Sequence, residues 1–352
     1  LKKLDNYDAF LLLSFGGPEG MTDVIPFLEN VLRGKNVPKE RMMSVAHHYE
    51  RFGGVSPINE HNRALIAALR PLIEESGPRL PIFWGNRNWH PMLEDTIRQM
   101  SHAGIKRALA FVTSAYSSYS SCRQYLEEIE WARAQVGDRA PMVDKIRVFH
   151  NHPGFVETNT NSLQEALSAF PLEGRHDVEI AFTAHSIPLS MDSCCEYGRQ
   201  LEETSRLVAE AAGHPGHWSV VYQSRSGPSS QPWLEPDICD HIRKLHNKGV
   251  RELVIQPIGF VSDHMEVIYD LDTEAQSLCD ALGMKMVRAK TAGTHPRFVK
   301  MVLELVEERV NGCALAPALG VLSPNPDVCA PGCCQLVPIA SARPLSNRTE
   351  TH

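Results

Sequence analysis

The sequence holds no apolar run near the roughly 18 residues that a membrane-spanning helix needs. Its start, LKKLDNYDAFLLLSFGG, has too short an apolar part for a span and lacks a small-residue cleavage pattern. Neither a membrane anchor nor a secretory leader is therefore expected. An excess of positive charge is missing too: 35 Lys and Arg stand against 42 Asp and Glu, a formal charge of -7. That balance excludes a general phosphate-binding surface, and with it nucleic acid as the expected partner. Nucleotide-loop signatures are also absent. SFGGPEG and RFGGVSP match neither GxGxxG nor GxxxxGK[ST] and read as tight turns.

What is present is an ordinary globular composition: 352 residues, 43% hydrophobic, enough to fill two cores or one large one. Nine cysteines without a leader point to reduced thiols or metal ligation rather than a disulfide framework, hence to a cytoplasmic chain. No surplus amphipathic face is left over, and a monomer is expected.

Apolar, strand-like runs alternate with helical patterns, as in α/β proteins with parallel sheets. DAFLLLSFGGP (8–18), LPIFWGNRNWHP (80–91) and AGIKRALAFVTSAYSS (103–118) are three such runs. VEIAFTAHSIP (178–188), HWSVVYQSRSG (217–227) and KGVRELVIQPIGFVSD (248–263) repeat them in the same order. The repetition predicts two Rossmann-like lobes, 1–150 and 151–312, facing a central cleft, with a Cys-containing tail at 313–352. Ligands of open α/β sheets bind outside the carboxyl ends of the strands. Those ends carry Ser14, Phe15, Asn86, Arg87, Ser114, Tyr116, His185, Ser186, Arg225, Ser262, Asp263 and Glu266.

Two features bear chemistry. His185 in FTAHSIP follows a buried strand, where a lone histidine is as often structural as functional. If that strand neighbours the one ending in GFVSDHME, His185 lies beside Glu266. Imidazole plus carboxylate serves either as a ligand pair for a metal such as ferrous iron or as a base oriented by an acid. Glu266, Asp270 and Glu274 recur every four residues, so a 3.6-residue helix lines them along one face. Such a stripe is a track for a cation or for protons, or simply a solvated helix face. Aromatic residues near these ends, with Arg33, Arg51, Ser56, Arg87 and Arg225, suit a flat, apolar ligand with several carboxylates.

LLLSFGGPEG, FGGVSPIN, GNRNWHP, FTAHSIP, QSRSGPSSQPWLEP and IGFVSDHMEVIYDLD, taken in order over residues 8 to 310, resemble the ferrochelatases. The resemblance implies two Rossmann-like lobes of the chelatase type and insertion of ferrous iron into a porphyrin. It implies His185 and Glu266 at the porphyrin face, Asp270 and Glu274 along the iron path, and Trp233 near the macrocycle. Arg33, Tyr49, Ser56 and Tyr125 match propionate-binding positions of the bacterial branch, which commonly metallates coproporphyrin III rather than protoporphyrin IX. Phe15 stands where some members have a tyrosine that can ligate product iron, and Asn88 where some have a further histidine. With a reference pKa of about 6.5, His185 is expected to be mostly neutral at pH 7. Whether it acts as base or as first iron ligand is open. A cobalt chelatase of corrin synthesis and a non-catalytic tetrapyrrole or metal carrier are the competing readings.

PDVCAPGCCQ (327–336) places Cys329, Cys333 and Cys334 in a Pro/Gly-rich tail, and Cys122 lies in YSSYSSCRQY of the first half. By the same resemblance these four thiolates hold a [2Fe-2S] cluster, with Cys313 in reserve. Incidental thiols or a zinc site are the alternatives. Cys194, Cys195, Cys239 and Cys279 read as structural. Residues 335–352 lack periodic apolar signal and are expected to be loosely ordered.

Overall fold

A computed structural model describes residues 6–34, 37–227, 230–312 and 315–336. The first half builds a parallel sheet from β1 (Ala9–Ser14), β2 (Ile82–Asn86), β3 (Arg107–Val112) and β4 (Met142–Lys145) in the order β2-β1-β3-β4. The second half repeats it with β5 (Glu179–His185), β6 (Trp218–Gln223), β7 (Glu252–Gln256) and β8 (Lys285–Arg288), in the order β6-β5-β7-β8. The fold is thus α/β with two Rossmann-like sheets, and all six expected runs are strands.

Around the first sheet lie α1 (Met21–Leu32), α2 (Lys39–Glu50), α3 (Ile58–Arg70), α4 (Leu93–His102) and α5 (Gln124–Val136). The second half contributes α6 (Pro153–Leu167), α7 (Leu189–Asp192), α8 (Tyr197–Ala212), α9 (Ile238–Asn247), α10 (Met265–Tyr269), α11 (Gln276–Ala281) and α12 (Pro296–Asn311).

Strand β1, AFLLLS, is buried along its whole length, as a parallel strand covered on both faces must be. Its two-residue alternation decides where each side chain goes. Ala9, Leu11 and Leu13 pack with Leu93 and Ile97 of α4 and Ile129 of α5. Phe10 and Leu12 face the opposite way, into a cluster with Leu69 of α3 and Phe298 and Val302 of α12. That cluster also takes Ile180, Phe182 and Ala184 from β5, Phe155 and Leu163 from α6 and Leu201 and Val208 from α8. The inner faces of both sheets therefore share one core. Helix α12, from the chain's second half, is part of it, and the buried Arg147–Glu308 pair (2.7 Å) fixes α12 to the segment after β4. Phe298 is fully buried at this junction, so Phe298→Ala is expected to cost about 3–5 kcal/mol.

In each sheet the chain steps from its first strand to one neighbour and then crosses to the other side. This leaves a crevice at the carboxyl ends of β1 and β3, and another at β5 and β7. Helices α1 and α2 of the first half reach over the second crevice. Val24, Phe27, Leu28, Ala46 and Tyr49 pack together with Met265 of α10. His48 stacks on Tyr269 with ring centroids 3.7 Å apart.

Candidate active site

His185 is the last residue of β5, and its carbonyl accepts a hydrogen bond from Tyr197 Oη at 3.0 Å. Its Nδ1 lies in short hydrogen-bond contact with the Ser186 carbonyl oxygen. A carbonyl only accepts, so Nδ1 carries a proton and Nε2 is the atom left for chemistry. Nε2 lies 3.5 Å from Glu266 Oε1. The expected pair is formed, because β5 and β7 are neighbours in the sheet.

The loop after β7 reaches His185 through Gly259. Its amide donates to Thr183 O at 3.0 Å, and a Cβ there would meet Ala184 Cβ at 2.6 Å, so only glycine allows the approach. His264 then caps α10: its Nδ1 accepts from the Glu266 amide at 3.2 Å. Burial lowers the His264 pKa, which keeps the ring neutral and able to accept. From β6, Gln223 Nε2 donates to Glu266 O at 2.6 Å. Glu266 is thus held by its cap and by the neighbouring strand.

Burial opposes charge on His185, but the Glu266 carboxylate, the Ser186 carbonyl and Asp270 together outweigh it and raise the pKa above the ordinary value. The carboxylate beside it therefore holds the ring proton to higher pH than in an isolated imidazole.

The acidic ridge departs from the expected helix. The segment is not one 3.6-residue helix: Asp270–Ala275 is a π turn between α10 and α11. Four residues overshoot one turn of an α-helix, whereas four residues undershoot a turn closed by i→i+5 bonds. The drift from Glu266 to Asp270 is reversed from Asp270 to Glu274, and the three carboxyls keep one face. Asp270, the middle one, feels both neighbours. Burial first, then Glu266 and Glu274 against the Ser224 hydroxyl, push Asp270 up to about 7. Glu274 is raised by burial and by Asp237, with Arg51 opposing.

The other predicted residues lie in the first half, Trp233 excepted. Tyr125 is buried beneath the Arg87 guanidinium, 4.7 Å from its ring centroid, and Arg87 also lies 5.7 Å from the centroid of Phe15. Phe15 meets Phe27 edge-on at 6.2 Å, and Phe27 meets Tyr49 at 6.0 Å. Buried Tyr49 completes this wall beside Glu266, which together with burial raises its hydroxyl pKa. Ser56 is buried against Gly17. Arg33 is exposed at the end of α1 and donates to Asn30 Oδ1. Trp233 bridges Pro188 from the opposite side, buried, with its indole N–H lacking a partner among the described residues. A cavity of about 230 Å³ lies at the carboxyl end of β6, lined in part by Ser186, Gln223, Arg225, Glu235 and Asp237, and by neither His185 nor Glu266. The sequence reading missed Gln223 and Ser224, whose partners are 43 and 46 residues away. A polar pair ending the β6 run was the only available signal.

Cys122 is buried in a π turn at Tyr119–Arg123. Its thiol is raised by a hydrogen bond with Cys329 and by burial, while the same bond lowers Cys329. Cys333 Sγ lies 3.5 Å from Cys334 Sγ, and Cys334 is raised by burial and by Cys333. The thiols are linked in a chain, Cys122 to Cys329, Cys329 to Cys333 and Cys333 to Cys334. Among the described residues no three His, Cys, Asp or Glu side chains converge on a single ion. Cys313 lies outside the described residues, as does all but the first two residues of 335–352. The preceding segment is pinned, with Leu319 N donating to Asn151 O (2.9 Å), Asn151 Nδ2 to Leu322 O (2.8 Å) and Val321 N to Glu203 Oε1 (2.7 Å).

Among the described residues, no helix is long and apolar enough to cross a membrane. A family model described as Ferrochelatase matches residues 7–310. The chain is 55% identical over 353 residues to "Ferrochelatase" of Rhodopirellula baltica, covering 98% of this chain and 99% of the relative. It is 49% identical to "Coproporphyrin III ferrochelatase" of Streptomyces coelicolor, with 97% and 96% covered. The solved structure "SirB from Bacillus subtilis with Fe3+" shares the fold: TM-score 0.54 at 13% identity, covering 87% of this chain and 96% of that one. The chain belongs to the ferrochelatase family, whose members insert iron into porphyrins.

Proposed function

We propose that this enzyme inserts ferrous iron into coproporphyrin III, releasing two pyrrole protons and leaving coprohaem. The observation that carries the reading is the His185–Glu266 pair, 3.5 Å apart at the crevice of β5 and β7. Its support in substrate comes from relatives named for coproporphyrin III at 47–49% identity.

A planar porphyrin hides its nitrogen lone pairs, so binding that favours a puckered ring stabilises the transition state over the substrate. Phe15 and Trp233 supply apolar walls, and Arg33, Tyr49, Ser56 and Tyr125 take the carboxylates. His185 accepts pyrrole protons at Nε2, a role favoured over first iron ligand by the carboxylate that raises its pKa. Glu266 stabilises the imidazolium. Asp270 and Glu274 form the track for the incoming cation and departing protons, with Asp270 poised to exchange a proton near pH 7.

The reading extends to the whole chain. Cys122, Cys329, Cys333 and Cys334 fit a [2Fe-2S] cluster, which needs four thiolates distributed over two irons rather than three donors on one ion. Eight free cysteines among the described residues suit a reducing compartment, and we place the enzyme in the cytoplasm as a monomer. Its lobes divide near residue 150, with α12 crossing back to the first.

Loss of porphyrin fluorescence under anaerobic ferrous iron tests the function. Faster turnover of coproporphyrin III than of protoporphyrin IX is expected; the reverse order assigns the latter as substrate, and binding without turnover makes the chain a carrier. Visible absorption with an iron-to-sulfide ratio near one tests the cluster, and Cys122→Ser is expected to abolish both signals.

A further inference from the structure

The segment bearing Glu266 and Asp270 is fastened from outside the site. Arg288 ends β8, the strand hydrogen-bonded to β7. Its Nη1 and Nη2 donate to Asp263 Oδ1 and Oδ2 at 3.3 and 3.0 Å, and its Nη2 also to Asp272 Oδ2 at 3.0 Å. Its Nε donates to Asp272 Oδ1. Asp263 accepts a further bond from Thr291 Oγ1 at 2.9 Å. The guanidinium is four-fifths buried, its side chain 18% exposed.

The positions of these partners matter more than their number. Asp263 lies immediately before His264, the cap that holds the Glu266 amide, and Asp272 lies in the π turn between Asp270 and Glu274. One planar cation therefore grips the segment on both sides of Glu266 and Asp270. A fork with five donors can satisfy two carboxylates at once, which a lysine ammonium on the same stem cannot do with the same geometry.

We propose that Arg288 is a positioning residue for metallation: by bridging Asp263 and Asp272 it fixes the π turn against the loop and so sets Glu266 opposite His185. It touches neither porphyrin nor iron. The inference rests on the function proposed above. Displacing a reacting group by about 1 Å can cost on the order of 100-fold in rate without altering substrate affinity.

The test is Arg288→Lys and Arg288→Met, each alone and with Asp272→Asn, in the full-length protein. Expected is a kcat for ferrous iron insertion lower by about tenfold in Arg288→Lys and more in Arg288→Met. The dissociation constant for metal-free porphyrin, read by fluorescence, stays unchanged in Arg288→Lys. Adding Asp272→Asn to Arg288→Met is expected to cost little more, because the bridge is already broken. Wild-type kcat in Arg288→Lys, additive losses in the double variant, or equal losses of porphyrin binding and kcat would overturn the positioning role. Should Arg288→Met not fold, Arg288→Lys with and without Asp272→Asn gives the same readouts. A wild-type enzyme that binds porphyrin without turning over would instead defeat the proposed function itself.

Discussion

The two crevices have the same strand order and different contents. At the carboxyl ends of β1 and β3, neutral groups close on one another: Thr113 Oγ1 donates to Ser14 Oγ at 3.1 Å. Asn86 Nδ2 donates to Asn59 Oδ1 at 3.2 Å and to His90 O at 3.0 Å, and Trp84 Nε1 to Asn86 Oδ1 at 3.0 Å. A Cβ on Gly16, at φ +81°, would lie 2.8 Å from Asn86 Cβ, so the turn is packed shut. At β5 and β7 the corresponding place holds an imidazole, a carboxylate and a second, protonatable carboxyl. Topology supplies both crevices; titratable groups kept partly desolvated are what single out one of them as the candidate reaction site.

That contrast can be broken at either end. Removing Nε2 by His185→Ala is expected to lower kcat by about 10³-fold or more while metal-free porphyrin still binds, within the range for loss of a general base. Glu266→Gln keeps the shape but not the charge, and a fall of roughly 10²-fold in kcat is expected. The rate profile of that variant should also move. In the wild type the base must be deprotonated, so activity rises through the raised pKa of His185, and losing the carboxylate shifts this limb to lower pH.

At the first crevice the effect should fall on stability instead. Asn86→Leu strands Asn59 Oδ1 and the Trp84 indole N–H, while the His90 carbonyl keeps its bond from Asn59 Nδ2, for about 2–3 kcal/mol lost in denaturant unfolding, with kcat of the folded fraction within about twofold. A large kcat effect there would erase the distinction.

The smallest effect belongs to Asp270. Its folded-state pKa of about 7 lies above the ordinary carboxyl value, so the folded state binds more protons than the unfolded state between about pH 4 and 7. Its contribution favours folding below that window and is lost as pH rises through it. Asp270→Asn should therefore raise the Tm of the metal-free protein at pH 8 by about 2 °C or more, with a clearly smaller gain at pH 5. An equal gain at both pH values would remove the titration from the explanation.

Six of the eight strands and the His185–Glu266 pair were legible because buried parallel strands are continuous apolar runs and because strand adjacency brings their ends together. Strands β4 and β8, one edge of each sheet, were not. MVDK (Met142–Lys145) and KMVR (Lys285–Arg288) are four residues long, with charged ends and partly exposed side chains, and carry no apolar run. The π turn was hidden because a four-residue carboxylate spacing fits an α-helix equally well. Gln223, Ser224 and Arg288 act on the site across the sheet, through pairings no local pattern encodes. The thiols of Cys122, Cys329, Cys333 and Cys334 were placed by resemblance alone, and their proximity depends on the buried polar bonds that tie residues 317–325 across the body of the protein.

The central claim is that imidazole and carboxylate at the β5/β7 crevice together carry out metallation. Anaerobic single-turnover loss of coproporphyrin III fluorescence, measured for wild type, His185→Ala, Glu266→Gln and the double variant, tests it most directly. The account predicts that the double variant is little slower than His185→Ala, as for two groups acting as one unit. Additive losses, or a His185→Ala enzyme that metallates at the wild-type rate, would contradict it.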